Sequence, residues 1–157
     1  MRRSGVALLA AAGVGVSAAA ALPPRPHLDS VVATLSTNRA GARPVELSIR
    51  LYTELQCGRL QGPVTIRLPA TERVPPALLA SSVLVGTRPA SRVLVHDRLV
   101  TITPPRPVGL ICDVLAPGMA KIDLTAAANL GNPLTPGHYR LTVEYGGQLF
   151  ATTLAIA

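Results

Sequence analysis

Apolar residues recur at every second position along most of this chain, the spacing of strands that bury one face. Val45, Leu47, Ile49 and Leu51 alternate with Glu46, Ser48 and Arg50. Val64, Ile66 and Leu68 alternate with Thr65 and Arg67, and Tyr139, Leu141, Val143 and Tyr145 alternate with Arg140, Thr142 and Glu144. Between these runs, Val83 and Val85 lead to a turn over 86–90, Val93 and Val95 follow, and His96-Asp97-Arg98 turns into Leu99–Thr103. Gly146-Gly147 reads as a two-residue hairpin turn into a final strand over 149–157. With 15 Pro and 13 Gly as punctuation, only 75–80 and 124–130 have room for a helical turn. Eight or nine strands are predicted, in an all-β, two-sheet antiparallel sandwich, with a closed barrel as the second packing.

The first 21 residues break this pattern. Arg2 and Arg3 precede an uncharged run from Val6 to Ala21, which ends in small residues with Ala19 and Ala21 in an A-x-A arrangement. That is the layout of a cleaved secretory signal peptide. A membrane anchor is the competing reading, but the run is about 16 residues long, short of a spanning helix, and rich in Ala and Gly rather than Leu. The predicted organisation is a signal peptide over 1–21, a Pro-rich lead over 22–29 and a β-sandwich domain over 30–157. Cleavage is expected after Ala21, or after Ala19 as the alternative. No further membrane span is expected, and the protein is placed outside the cell or in the cell envelope.

Charge narrows the partners. The formal net charge is +7, and without Arg2 and Arg3 the balance is 13 basic to 8 acidic residues, scattered singly. Three Tyr, one Phe and no Trp leave little for bases to stack on, so no nucleic-acid partner is expected. Cys57 and Cys112 form an even pair in an exported chain, which predicts a disulfide. Closing that loop would restrict the unfolded chain by about 4 kcal/mol on the entropic account. Neither cysteine has the C-x-x-C spacing or nearby histidines of a zinc site.

The candidate chemistry is sparse. The histidines are His27, His96 and His138, and no G-x-S-x-G elbow, P-loop, dinucleotide-binding glycine fingerprint or HExxH occurs. His96-Asp97 is an adjacent pair on an expected turn, where neighbouring side chains more often point apart. Glu46, Glu54, Glu72, Asp123 and Glu144 are expected on the solvated surface. Asp97 and Asp113 lack the D-x-D-x-D-G pattern of a calcium loop. No catalytic, cofactor-binding or metal-binding residue is predicted, and no cofactor. The most irregular segment, 129–137, is the candidate binding loop, with Asn129, Asn132 and His138 as its named residues. The alternative is that Gly131, Pro133 and Gly137 shape turns before a core strand.

The order of these segments carries a resemblance. Pro44-Val-Glu-Leu-Ser-Ile-Arg-Leu51 is followed by Pro63-Val-Thr-Ile-Arg-Leu-Pro69, Val74-Pro-Pro76, Ser81-Ser-Val-Leu-Val85 and Thr101-Ile-Thr-Pro104. Asn129-Leu-Gly-Asn-Pro133 and Pro136-Gly-His-Tyr-Arg-Leu-Thr-Val143 come later. Over roughly 30–157 the chain resembles the immunoglobulin-like β-sandwich modules of bacterial secreted and surface-layer-type proteins. It departs from antibody-type domains in lacking the buried Trp, and it holds one module rather than an array. The resemblance implies a non-catalytic exported envelope or surface module with a structural or adhesive role. Its partner would be a cell-envelope polymer or another surface protein. The alternative expectation is a soluble secreted ligand-binding or inhibitor protein.

Overall fold

The computed structural model describes residues 28–53, 60–106 and 118–157. The expected signal peptide, most of the Pro-rich lead, and Cys57 and Cys112 with the disulfide expected between them lie outside the described residues, as do Glu54 and Asp113. Ten strands follow in order: β1 (Leu28–Leu35), β2 (Leu47–Thr53), β3 (Val64–Arg67), β4 (Val83–Val85), β5 (Arg88–Pro89), β6 (Arg92–His96), β7 (Leu99–Thr103), β8 (Met119–Leu124), β9 (Gly137–Tyr145) and β10 (Gln148–Ile156). They form two five-stranded antiparallel sheets, ordered β1-β2-β8-β4-β5 and β10-β9-β3-β7-β6. The all-β, two-sheet architecture is the one the alternation predicts.

The inner faces make the core. Leu47, Ile49 and Leu51 of β2 and Ile122 and Leu124 of β8 face Val64, Ile66, Val100, Ile102, Leu141 and Val143 of the other sheet, all fully buried. Tyr145 is the largest fully buried side chain, and its hydroxyl accepts a 3.0 Å hydrogen bond from the Gln61 N–H. In a chain without Trp this phenol supplies the bulk at the core's end. The Gly146-Gly147 turn forms as predicted, with φ of 59° and 79°, the positive values that a tight hairpin between twisted strands requires.

Three elements differ from the sequence reading. β1 begins at Leu28, ahead of the boundary expected at residue 30, because Leu28 is fully buried and its N–H donates to Gln148 Oε1 at 2.7 Å. β8 was not anticipated, although Ala120, Ile122 and Leu124 do alternate with Lys121 and Asp123. The turn expected over 86–90 contracts to Gly86-Thr87, and Arg88–Pro89 pair with β4. β5 is an edge strand, where proline's missing N–H costs no ladder bond. Of the two stretches with room for a helical turn, 124–130 holds a 3₁₀ turn at Ala126–Ala128, whereas 75–79 holds none and a 3₁₀ turn follows at Ala80–Ser82.

Candidate functional site at the loop-built end of the sandwich

The strand registers bring several connections to one end. Leu35 pairs with Leu47, Leu47 and Val83 with Leu124, and Ile156 with Gly137. Segments 36–46 and 125–136 therefore meet there with the C-terminal Ala157, and β3 runs out towards the same end into 68–82.

The irregular segment picked out in the sequence is the hub of this end. Leu130 bridges to Val45, and Gly131 bridges to Arg73 on its other side. Arg73 and Gly131 exchange both backbone hydrogen bonds, at 2.9 and 3.0 Å. The Asn132 N–H donates to Ala42 O at 3.0 Å, and the Gly41 N–H donates to Pro133 O at 2.8 Å. Side chains tie the same loops together. Asn132 Nδ2 donates to the carbonyls of Thr37 and Arg39, both at 2.9 Å, and Arg73 Nη2 donates to Gly41 O at 2.7 Å. Arg43 Nε donates to the carbonyl and to Oδ1 of Asn129.

Gly131 leaves room for the Arg73 guanidinium. A Cβ there would stand 3.0 Å from Arg73 Nε and 3.1 Å from Nη2. Gly131→Ala is expected to push the guanidinium off Gly41 O and cost about 1 kcal/mol, the worth of one hydrogen bond. Urea denaturation of the variant checks the figure, and an unchanged midpoint would show that Arg73 relaxes without loss.

Of the candidate binding residues, Asn129 sits exposed at the end of its 3₁₀ turn with φ 51°, a left-handed conformation asparagine tolerates. Asn132 is 0% exposed, and its amide holds backbone within the hub. His138 lies apart from both, exposed on β9 opposite Ala155. Asn129 and Asn132 are thus brought into one hub and His138 is not.

Glu72 corrects an expectation. It was expected on the solvated surface but is 6% exposed. Residues 69–73 are not a strand; the Glu72 N–H closes a turn onto Pro69 O at 3.1 Å, so alternation does not govern which way this side chain points. Burial pushes its carboxyl up from 4.5 to about 7, since desolvation disfavours the charged form. Glu46 and Glu144 are exposed as expected, and Asp123 Oδ2 lies 2.8 Å from Lys121 Nζ. His96 Nε2 and Asp97 Oδ2 are 3.8 Å apart on the β6–β7 turn, so the two side chains approach rather than point apart, both largely exposed. An exposed pair of this kind contributes little.

Two segments at this end carry no charge, whereas Arg39, Arg43 and Glu46 of 36–46 are exposed. No Asp, Glu, Lys or Arg occurs from Val74 to Thr87 or from Leu124 to Tyr139. Among the described residues, Leu79 and Leu134 are the most exposed large apolar side chains, at 74% and 71%. The two 3₁₀ turns are stapled together where Thr125 donates its N–H and Oγ1 to Ser82 O, both at 3.0 Å, and Ala126 and Ala127 are exposed. Leu134 follows Pro133, over Gly41.

Two open depressions among the described residues reach from this end onto the sheets. A groove of about 420 Å³ follows the seam between the edge strands β1 and β10, lined by Ala33, Leu35, Thr37, Asn38 and Leu154 among others. A second, of about 310 Å³, lies over Ser48, Leu84, Lys121 and Asp123 on the outer face of the first sheet. Among the described residues no group of three or more His, Cys, Asp or Glu is placed to hold a metal ion, and no helix is long and apolar enough to cross a membrane.

No family model matches the chain, and no curated protein matches it. Among solved structures it is similar to BslA, described as a bacterial hydrophobin, with a TM-score of 0.51 and 16% sequence identity over 82% of this chain and 97% of that one. At that identity the likeness speaks for the fold, an all-β arrangement of two sheets.

Proposed function

We propose that this chain is an exported, non-catalytic surface protein with an immunoglobulin-like sandwich, and that it works by adsorbing to apolar interfaces through the loop-built end. The observation that carries the reading is the pairing of two charge-free stretches with the two most exposed leucines at that end. Single exposed leucines are ordinary on any surface. Charge-free stretches carrying them are less so, and contiguous exposed apolar surface marks interaction sites. The likeness to a bacterial hydrophobin supports the same reading. Export and an envelope location belong to the proposal through the signal-like segment 1–21.

Oil–water interfacial tension tests it. The purified mature protein is expected to lower the tension, and the Leu79→Lys/Leu134→Lys variant to lower it more slowly and to a smaller extent. Both side chains are exposed, so each substitution should change stability by no more than about 0.5 kcal/mol. Equal adsorption by the two proteins would overturn the assignment of this end.

The groove between β1 and β10 favours a second reading, a soluble secreted protein that binds a ligand along the seam. Fractionation of the native host separates the two. Recovery with the envelope or at culture surfaces supports the first, and recovery only as free monomer in the medium supports the second.

A further inference from the structure

Inside the same hub, a carboxyl group and an amide oxygen lie without protein partners. Both Oε atoms of Glu72 and Oδ1 of Asn132 are buried and accept no hydrogen bond from protein, and Arg73 Nε is buried without an acceptor. The reciprocal Arg73–Gly131 bridge brings the backbone of Glu72 alongside that of Asn132, since each is the residue next to a bridged one. The Arg73 guanidinium lies where a Gly131 Cβ would project. The Asn132 amide has one orientation open to it, since the Thr37 and Arg39 carbonyls both take hydrogens from Nδ2. Its Oδ1 is left as an acceptor that needs a donor. A carboxylate offers only acceptors, whereas a neutral carboxyl carries one O–H.

We propose that Glu72 is a proton latch: as the neutral acid it donates its O–H to Oδ1 of Asn132 and locks segment 69–73 onto the hub, and loss of that proton releases this end of the sandwich. Of the charged groups in the surrounding segments, Arg73 gives Nη2 to Gly41 O and leaves Nε buried without an acceptor. Arg43 serves Asn129, and Glu46 Oε1 accepts from the Ala126 N–H. Arg39, His96, Asp97 and His138 are exposed, half-exposed Arg98 contributes its carbonyl to the Leu68 N–H, and 125–136 carries no charge. Desolvation is the cause of the raised carboxyl, with no cation offsetting it. Because the folded value, about 7, lies above the unfolded 4.5, the folded state holds the proton more tightly. The stabilisation is complete below the unfolded value and is lost as pH rises through about 7. The latch concerns the cohesion of this end whether or not the end adsorbs to an interface.

The test is a carbon-13 NMR titration of Glu-labelled protein, paired with denaturation of wild type and Glu72→Gln from pH 4 to pH 9. Glutamine keeps a donor for Asn132 and removes the titration. The Glu72 carboxyl is expected to titrate near 7. The wild-type unfolding constant should rise by about 300-fold relative to the variant across that range. A Glu72 midpoint near 4.5, or equal pH dependence in the two proteins, would overturn the proposal, and the titration needs no variant that might misfold. Full recovery of wild-type stability at alkaline pH on adding millimolar Ca²⁺ would also overturn it, by assigning the carboxyl to a cation.

Discussion

Tyr145→Ala is expected to lower stability by about 4 kcal/mol, a fall of roughly 15 °C in Tm for a domain of this size. Tyr145 is 1% exposed and ends β9, where β3 pairs with it at Val64. Two losses combine. The cavity left by an aromatic ring costs most, because the surrounding strands are held in register and relax only in part. The Gln61 N–H then loses its acceptor at the point where the chain enters β3. Tyr145→Phe separates the terms, since it keeps the ring and should cost only about 1 kcal/mol. Differential scanning calorimetry of the pair checks both figures, and a small loss in the alanine variant would show that the core does not depend on this residue.

Asn132→Ala should cost about 3 kcal/mol, although it removes few atoms. The amide serves two carbonyls, of Thr37 and Arg39, inside a closed hub. Truncation removes the donor from both part-buried bonds, and a carbonyl that water cannot reach in its place costs on the order of 1–3 kcal/mol. The damage should be local as well as global. Amides donated within the hub, those of Gly41, Val45 and Asn132, are expected to exchange faster, while the β9–β10 ladder keeps its relative protection. Uniform acceleration across both sheets would show that the hub is not a separate unit.

What could be read from the sequence follows from how each part is specified. Where one face is buried, alternation fixes both the strand and its register, so β2, β3 and β9 were legible from Leu47, Ile66 and Val143 and their polar neighbours. β1 escaped because its inward positions, Val31, Ala33 and Leu35, are only partly covered at the open seam and its sequence reads as a weak alternation after a proline-rich lead. β8 carries a readable pattern, with Ala120, Ile122 and Leu124 inward and the Lys121–Asp123 pair between them. The candidate loop was located by its Asn, Gly and Pro content. Its role as a hub depends on contacts with residues about 90 positions away in sequence, such as Asn132 with Thr37, which no local pattern encodes. Glu72 was misread for the same reason. A carboxylate in a Thr-Glu-Arg context has the composition of surface, and its burial comes from a tertiary turn.

The central claim is that the loop-built end is the face that meets an apolar interface. Hydrogen exchange of the mature protein adsorbed on oil droplets, compared with the protein in solution, tests this most directly. The account predicts added protection at 74–82 and 125–136, with the outer faces of both sheets unchanged. Protection spread over the outer sheet faces, or over the β1–β10 seam, would contradict it.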